Sequence, residues 1–474
     1  MKADFVPSPF QLAIFEDIAH GTGNTVVKAV AGSGKTTTLE HGLARVPAGL
    51  SVIFMAFNTK ITEELAKRAP KGVEVRGLHS YGVQAVNRRG RLPLNKFRVE
   101  DLAEALSVDV AKNLELRDDL CDCVSMAKAK LTRDASAIDA IIDEFGYPTA
   151  QNGSRDRFID NVLQLLKQCA DPGKDGCINY DDMIWLPIVR DLPQKQYDRV
   201  FIDETQDLNA AQIELTLRAV RPGGRIVAVG DPKQGIYRFR GADDRAFENV
   251  VAKLDAKVLP LSVCYRCARD IVRVAQEIVP EIEAAPSAES GEVKSVLFQE
   301  MKRDVRPGDF VLSRTNAPLV SLCLNLLAEG RSAMIQGRDV GQQLASLVKK
   351  AKALTVEALR NSIEEWGKKE CARLAAKKRD VQPVEDKVAC ILAISEGATS
   401  VQDVLDRIAA LFADASTAAR IVLSSTHRAK GLERDRVWLL ADTYRRRPDV
   451  EEANIFYVAV TRARKTLVFV EGLR

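Results

Sequence analysis

The chain has 474 residues, of which 46% are hydrophobic and 28% are charged, and its formal net charge at pH 7 is +4. This composition is typical of a soluble globular protein, and the length excludes a single core and predicts roughly two to four domains. The net charge neither indicates nor excludes a nucleic-acid partner, because binding depends on where positive charge lies.

In the first half of the chain, apolar β-branched runs alternate with helical patterns, which predicts a parallel sheet covered by helices. The predicted strands are residues 25–30, 51–57, 73–78, 199–202 and 225–229. Between residues 79 and 197 the pattern becomes mostly helical, and we interpret this region as an inserted subdomain. Its predicted helices are residues 102–116, 120–131, 138–145 and 158–169.

After residue 259 the alternation of strands and helices resumes and predicts a second α/β core. Its candidate strands are residues 310–313, 421–425, 437–440 and 466–470. Residues 341–419 are again helical and carry basic pairs such as Lys349-Lys350 and Lys368-Lys369, for which a solvated surface and a DNA contact are the alternatives. The predicted fold class is therefore α/β, with two parallel-sheet domains that each hold an inserted helical subdomain.

The domain boundaries follow from these changes of pattern. The predicted parts are residues 1–87 with 176–257 for the first sheet domain, 88–175 for its insertion, 258–340 with 420–474 for the second sheet domain, and 341–419 for its insertion. No run approaches the ~18–20 apolar residues of a membrane span, and residues 1–7 lack the apolar core of a secretion signal. We therefore expect a cytoplasmic protein without membrane contacts.

The nine cysteines are too scattered for a disulfide framework, so we expect reduced thiols that pack as small apolar side chains. One alternative is a redox or metal half-site at Cys264 and Cys267. A second alternative is a cluster of the cysteines in the first helical insertion and just after it. Those residues are Cys121, Cys123, Cys169 and Cys177.

Residues 25–36 run from a β-branched strand through a small-residue loop into a helix, a pattern typical of a phosphate-binding loop. Lys35 is expected to reach the β and γ oxygens, and the Thr36 hydroxyl is expected to ligate Mg²⁺. Ala29 stands where such loops usually begin with glycine, and alanine is small enough to keep the match. The sequence therefore predicts a nucleoside triphosphate site. The predicted loop residues are Gly32, Ser33, Gly34, Lys35, Thr36 and Thr37.

Acidic residues follow the predicted strand 199–202, and the carboxyl ends of parallel strands are where ligands collect in open α/β sheets. We predict that Asp203 holds Mg²⁺ through water and that Glu204 orients and deprotonates the attacking water. A solvated strand end is the alternative for this pair. Gln234 follows the apolar strand 225–229 and is predicted to sense the γ-phosphate.

Two arginines in the second half of the chain, Arg266 and Arg462, lie beside the boundaries of predicted elements. An arginine brought to the γ-phosphate across a cleft stabilises the charge of the transition state. We therefore predict that hydrolysis depends on closure between the two sheet domains. For each arginine taken singly, a surface salt bridge is the alternative.

Short motifs occur in a fixed order over nearly the whole chain. They are Gln11 and residues 31–36, 56–60, 78–80, 203–207, 229–242, 265–266, 313–316, 426–433 and 457–463. This series resembles that of superfamily 1 helicases of the UvrD, Rep and PcrA type. The resemblance implies two RecA-like P-loop domains and 3′→5′ translocation on single-stranded DNA with strand separation. It also implies ATP and Mg²⁺ as cofactors and junctions of single- and double-stranded DNA as partners. RNA is not excluded, and we expect a monomer.

The resemblance further implies that Gln11 reads the adenine, Tyr265 stacks on the base and Glu433 contacts the ribose. It also places a set of aromatic and basic side chains in a DNA groove, where stacking and phosphate contacts hold a single strand without reading its sequence. Core packing is the alternative for the aromatic members, and a structural role is the alternative for each histidine. The implied DNA-binding residues are Phe57, His79, Tyr237, Phe239, Arg240 and His427.

The chain departs from the family pattern in several places. Phe239 replaces a frequent tryptophan, Thr37 replaces a frequent arginine, and the insertion 341–419 is much shorter than in the best-known relatives. The leading hypothesis is an ATP-dependent DNA translocase and helicase. Alternatives are an ATP-gated nucleic-acid-binding remodeller and a motor subunit of a repair, recombination or defence complex. A small-molecule P-loop kinase is disfavoured, because it would not need residues 237–240 or the two arginines.

Overall fold

The computed structural model describes residues 5–56, 59–147, 155–236, 245–376, 380–412, 420–444 and 450–473. The chain divides into two compact units, Met1–Ser262 and Val263–Arg474. Each unit contains a six-stranded sheet in which every described pair of strands is parallel. The predicted α/β fold class is therefore confirmed.

The sheet of the first unit has the strand order β3-β2-β4-β5-β1-β6. Its strands are β1 (Thr25–Ala29), β2 (Val52–Ala56), β3 (Val73–Gly77), β4 (Tyr197–Ile202), β5 (Val220–Gly230) and β6 (Lys257–Leu261). The helices of this unit are α1 (Pro9–His20), α2 (Lys35–Leu43), α3 (Thr59–Ala66), α4 (Leu78–Val86), α5 (Arg98–Glu104), α6 (Val108–Lys112), α7 (Leu114–Lys130), α8 (Ala135–Phe145), α9 (Arg155–Cys169), α10 (Tyr180–Val189), α11 (Ala210–Arg218) and α12 (Ala246–Leu254).

Both faces of this sheet are apolar, as expected when helices cover a parallel sheet on each side. Val27 and Phe201 point into a core shared with α1 and α2, whereas their neighbours Val26 and Val200 point into a second core on the opposite face. The sequences of the central strands are therefore continuous runs of apolar residues. Their carboxyl ends, which carry the polar residues of the candidate site, all lie at one edge of the sheet.

The helical insertion has its own apolar core, built mainly from α5, α7, α8 and α9. Buried charges connect this core to α10, because Asp182 accepts from Arg98 at 2.6 Å and from Lys128 at 2.8 Å. The prediction of one helix over residues 102–116 is wrong. The side chains of Ser107 and Asn113 cap new helices there by accepting from the backbone N–H groups three residues later, so three helices replace one.

The sheet of the second unit has the strand order β11-β12-β10-β13-β14-β9, and β7 pairs with β8 beside it. Its strands are β7 (Val263–Cys264), β8 (Glu283–Ala284), β9 (Glu292–Leu297), β10 (Phe310–Ser313), β11 (Ala333–Ile335), β12 (Ile421–Ser425), β13 (Arg434–Leu440) and β14 (Ala463–Glu471). The helices are α13 (Arg269–Gln276), α14 (Phe298–Asp304), α15 (Ala317–Ala328), α16 (Arg338–Lys350), α17 (Val356–Ala376), α18 (Gln382–Ser395), α19 (Val401–Leu411), α20 (Thr426–Ala429) and α21 (Val450–Val460).

Four helices, α16 to α19, separate β11 from β12, so the second sheet also carries a helical insertion. The division of the chain into four parts at the boundaries given above stays a prediction. In the described part of the chain, no helix has the length and apolar character needed to cross a membrane. None of the nine cysteines, all of which are described, forms a disulfide.

Candidate nucleotide site and nucleic-acid interface

The loop between β1 and α2 has the backbone of a phosphate cradle. Gly32 and Gly34 have φ angles of 70° and 77°, a left-handed conformation that glycine adopts without strain. Gly34 is the N-cap of α2, and no side chain caps this helix. The buried Ser33 hydroxyl has no hydrogen-bond partner among the described residues. The helix N-terminus and this hydroxyl therefore form a polar site that suits an anionic phosphate chain.

Lys35 is the positive centre of the site, and its ammonium lies 3.0 Å from Glu204 Oε2. Burial opposes its charge, but Glu204, Asp203 and Asp231 outweigh burial and raise the pKa of Lys35. The ammonium is therefore charged at neutral pH. Burial raises the pKa of Asp203 and of Asp231, so a divalent cation beside them would favour the charged form of these carboxylates.

Asp203 has the properties expected of a residue that holds Mg²⁺. One carboxylate oxygen accepts from the Glu204 N–H at 2.8 Å, whereas Oδ2 is buried without a partner among the described residues. Burial and the neighbouring Glu204 raise the pKa of Asp203 to about 7, although Lys35 and the Thr36 hydroxyl act in the opposite direction. The Asp203 carboxylate and the Thr36 hydroxyl that contacts it are oxygen donors of the kind that Mg²⁺ prefers.

A cage made only of protein ligands is not present in the described residues, where no group of three or more histidine, cysteine or acidic side chains is placed to hold a metal ion. This fits Mg²⁺, which is commonly held by one or two protein oxygens together with phosphate oxygens and water. The cysteine cluster proposed as an alternative for the first insertion receives no support from this geometry.

Glu204 has a φ angle of 57°, an uncommon conformation for a residue with a side chain. Such local strain is typical of functional sites. The Glu204 carboxylate accepts from Lys35 and also from the amide of Gln206. Its position is therefore fixed from two sides, as expected for a group that orients a water molecule.

Gln206 connects the two strand ends that carry the acidic residues. Its Nε2 donates to Glu204, and its Oε1 accepts from the backbone N–H of Asp231 at 2.9 Å. Asp231 Oδ2 in turn accepts from Gln234 Nε2 at 2.6 Å. A chain of polar contacts therefore runs from Lys35 through Glu204 and Gln206 to Gln234.

The close approach of these strand ends depends on Gly230, the last residue of β5. A Cβ atom at this position would lie 2.2 Å from Thr205 Oγ1 and 2.7 Å from Gln206 Oε1. Gln206, Asp231 and Gly230 were not among the predicted site residues. The available signal was that Gln206 lies two positions after Glu204 and that Asp231 directly follows an apolar strand.

Gln11 is held beside the phosphate loop by both ends of its amide. Its Oε1 accepts from the Ser8 N–H at 2.9 Å, and its Nε2 donates to Thr38 Oγ1 at 3.0 Å. Thr38 lies in the first turn of α2, so the predicted adenine reader is fixed next to the loop. Thr37 is exposed on the same turn. The roles of both residues stay predictions.

In the second unit, three predicted nucleotide-contacting residues are neighbours. Arg266 forms an ion pair with Glu433, and its Nη1 donates to the carbonyl oxygen of Thr461 at 3.4 Å. The adjacent Tyr265 keeps 45% of its surface exposed, which leaves a ring face available for stacking. The structure therefore brings the predicted base-stacking, ribose and phosphate contacts together in one unit.

Arg462 lies next to this group but is almost fully buried, with 1% of its surface exposed. Its guanidinium donates to the Val458 carbonyl at 2.9 Å, the Leu432 carbonyl at 3.2 Å and Thr461 Oγ1 at 3.2 Å. Burial and the neighbouring Arg266 lower the pKa of Arg462 to about 10. A nearby anion would oppose this effect and stabilise the charged form of Arg462.

Two of the predicted DNA contacts lie in described segments. His79 is exposed at the start of α4, and its ring packs edge to face against Tyr180, with 6.2 Å between the ring centroids. Tyr180, which was not predicted, is itself 54% exposed. His427 lies in the short helix α20 and is partly buried. Phe57, Tyr237, Phe239 and Arg240 lie outside the described residues.

Comparison with known proteins identifies the relatives of this chain. Residues 13–255 match the model of the UvrD/REP helicase N-terminal domain, and residues 420–470 match that of the UvrD-like helicase C-terminal domain. The ATP-dependent DNA helicase PcrA of Bacillus subtilis is 27% identical over 289 residues, which cover 54% of this chain and 37% of PcrA. The ATP-dependent DNA helicase Rep of Escherichia coli is 27% identical over 294 residues, which cover 54% of this chain and 41% of Rep.

A further relative matches almost the whole chain. The F-box DNA helicase protein 1 of Schizosaccharomyces pombe is 24% identical over an alignment of 507 positions, and the alignment covers 93% of this chain and 55% of that protein. The chain therefore spans between 37% and 55% of the length of these three relatives.

Proposed function

The chain belongs to the UvrD/REP helicase family, and on this premise we propose that it is an ATP-dependent translocase and helicase on single-stranded DNA, moving 3′→5′. The observation that carries the proposal is the contact chain from Lys35 through Glu204 and Gln206 to Gln234. The last residue in this series of contacts, Gln234, comes just before residues 237–240 in the sequence, and that segment is predicted to bind DNA. This closeness in sequence supports a link between ATP hydrolysis and strand binding.

The residues of the first unit account for the hydrolysis step. The loop amides and Lys35 bind the triphosphate and neutralise its charge, while Glu204 orients a water molecule and accepts its proton. Thr36 and Asp203 would hold Mg²⁺, which supplies charge stabilisation at the phosphate oxygens when it is bound. We assign to Arg266 and Arg462 the stabilisation of the charge that develops on the transferred group.

The protein can move along a strand if its affinity for DNA depends on the bound nucleotide. In the proposed cycle Gln234 changes its hydrogen-bond partners when the γ-phosphate is lost. The affinity of residues 237–240 for the bases then changes as well. A ligand can shift a conformational equilibrium only by its differential affinity for the two states. The nucleotide must therefore bind one state more tightly, and this difference provides the directional step.

Strand separation tests the proposal. The purified full chain would be incubated with ATP, Mg²⁺ and duplexes that carry a single-stranded tail at either the 3′ or the 5′ end. We expect separation of the 3′-tailed duplex and little separation of the 5′-tailed one. DNA-stimulated ATP turnover without separation of either duplex would support the ATP-gated remodeller, and no DNA effect at all would contradict both functions.

Replacing Gln206 with methionine is expected to lower kcat by about 10- to 100-fold with little change in the KM for ATP. The variant keeps the length of the side chain but removes a hydrogen bond to a charged group, worth about 1.5–3 kcal/mol, and leaves the buried Asp231 N–H without its acceptor. Steady-state ATP turnover with saturating single-stranded DNA measures both constants.

Gln212 provides a matched control, because its side chain caps α11 through Asn209 and belongs to a different hydrogen-bond pair. Gln212→Met is expected to lower thermal stability slightly and to keep kcat. If the two methionine variants lose turnover equally, Gln206 has no special role in positioning Glu204.

Replacing Phe239 with alanine is expected to weaken single-stranded DNA binding by about 5- to 150-fold, because a stacked base contributes about 1–3 kcal/mol. Affinity for ATP should stay unchanged. Fluorescence anisotropy with a labelled oligonucleotide measures the DNA affinity, and Phe97→Ala, which removes another aromatic ring with 54% of its surface exposed, is the control. Equal DNA affinity in the wild type and Phe239→Ala would remove Phe239 from the predicted groove.

A further inference from the structure

The second unit contains a cavity of about 410 Å³ beside the residue that is predicted to stack on the base. Sites for small ligands commonly have volumes of roughly 300–1,000 Å³ and combine apolar walls with a few polar groups. The walls of this cavity are an aromatic ring, small apolar side chains and charged side chains. They include Tyr265, Ala268, Ala288, Glu289, Arg464 and Lys465. The cavity therefore has the size and the mixed lining of a small-ligand site.

A backbone hydrogen bond brings Arg464 to this cavity. Residues 265–267 bend after strand β7, and the N–H of Ala268 donates to the carbonyl oxygen of Arg464, near the start of β14, at 2.8 Å. Both Tyr265, which is 45% exposed, and the Arg464 side chain, which is 46% exposed, are accessible to a ligand. The aromatic wall and the cationic wall are therefore joined through a short backbone connection.

The Arg464 guanidinium is held by its edge. Its Nε donates to Asp435 Oδ1 at 2.7 Å, and its Nη2 lies 2.5 Å from the same oxygen. The N–H groups of a guanidinium lie in its plane, so these contacts fix the orientation of the group and leave its flat faces available. A flat cation of this kind stacks well on aromatic rings. Arg464 is therefore preoriented for stacking.

Glu433 links Arg464 to a residue that is predicted to contact the phosphates. One oxygen of its carboxylate pairs with Arg266, and the other lies 3.7 Å from Arg464 Nη1. Arg266 is assigned to the phosphate and Glu433 to the ribose. The three charged groups therefore follow one another as Arg266, Glu433 and Arg464, which matches the order of phosphate, ribose and base in a nucleotide.

We propose that the base of ATP enters this cavity and lies between the Tyr265 ring and the Arg464 guanidinium. This inference rests on the proposed function, because it concerns the nucleotide that is assigned there. Stacking by Tyr265 is implied by the family resemblance, and the new assignment is the second wall, Arg464. Thr37, which stands where relatives frequently carry arginine, has no planar group that could take this role.

The surroundings of Arg464 separate a role in binding from a role in folding. Its ion pair with Asp435 is exposed on both sides, with 46% and 52% of the two side chains accessible, and such pairs contribute little to stability. Variants of Arg464 should therefore fold. A cation stacked on the base interacts equally with the ground state and the transition state, so its loss should weaken nucleotide binding rather than lower kcat.

Calorimetric titration of the full chain with ADP and Mg²⁺ tests the proposal, because ADP carries the base and the ribose and needs no turnover. Arg464→Ala should raise the Kd for ADP by about 3- to 30-fold. Arg464→Lys should recover little of this loss, because lysine keeps the charge but lacks the flat group. In ATP turnover with single-stranded DNA, the loss should appear in the KM for ATP rather than in kcat.

Two further variants separate stacking from charge and from space. Lys465→Ala is the matched control, because Lys465 lines the same cavity and lies 3.7 Å from Asp435 but has no planar group. It should leave the Kd for ADP within about twofold of the wild type. Ala288→Leu keeps every charge and fills part of the cavity, so it should raise the Kd for ADP by at least about threefold.

Several results would overturn the assignment of Arg464. They are an unchanged Kd for ADP in Arg464→Ala, full recovery of affinity in Arg464→Lys, and an equal loss in Lys465→Ala. Unchanged ADP affinity in Ala288→Leu would place the base outside the cavity. A wild type that binds ADP but hydrolyses no ATP would instead contradict the proposed function. The two failures are distinguishable, because calorimetry measures binding independently of activity.

Discussion

ATP turnover is expected to fall by about 10²–10³-fold when Lys35 is replaced with alanine, the loss typical of removing one strong stabiliser of transition-state charge. The physical reason is twofold. The triphosphate loses the ammonium that reaches its oxygens, and the carboxylates of Asp203, Glu204 and Asp231 lose a neighbouring positive charge. Nucleotide affinity should fall as well, because the remaining site repels an anion. Steady-state turnover and binding of a fluorescent ATP analogue measure the two effects.

The matched control is Lys67→Ala, which removes an exposed lysine that follows α3. This variant should keep wild-type turnover and affinity. Both alanine variants should show similar circular dichroism spectra, so that misfolding does not explain the loss. Near-normal turnover in Lys35→Ala would place the nucleotide elsewhere and would remove the basis of the site.

Replacing Glu204 with glutamine is expected to separate binding from chemistry. The amide has the size of the carboxylate and still accepts from Lys35, but it cannot take a proton from water, so kcat should fall by about 10²–10⁴-fold. The KM for ATP should change only slightly, because the group acts mainly in the transition state. A single-turnover experiment with saturating enzyme measures the chemical step directly.

Glu214→Gln is the control, because Glu214 pairs with Arg218 on the surface of α11. It should leave kcat unchanged within about twofold, since such exposed pairs contribute little. An equal rise in KM and fall in kcat for Glu204→Gln would indicate that Glu204 only orders the loop. Unchanged turnover would show that another group accepts the proton.

The central strands were predictable because burial on both faces requires continuous apolar residues. Residues 25–30 were predicted as a strand, and β1 covers Thr25–Ala29. The edge strands β6 and β9 were missed for the opposite reason. Both have residues exposed to solvent. β6 also contains Pro260, which has no backbone N–H and is tolerated in an edge strand because no second strand pairs with it.

The candidate nucleotide site was predictable where its chemistry lies in consecutive residues, as in the loop before α2 and the acids after β4. Gln206 was not predicted because its role depends on Asp231, which is distant in sequence and becomes a neighbour only through the parallel pairing of β4 with β5. The burial of Arg462 could not be predicted either. Arginine occurs both in surface salt bridges and in buried networks of carbonyl contacts, and the structure shows the second.

The central claim is that ATP hydrolysis at Lys35 and Glu204 is coupled to a bound DNA strand. ATP turnover by the purified chain, measured with and without a single-stranded oligonucleotide, tests this coupling most directly. We predict low turnover alone and a stimulation of at least about tenfold by single-stranded DNA, lost in Phe239→Ala. Equal turnover with and without DNA, at any DNA concentration, would contradict the claim.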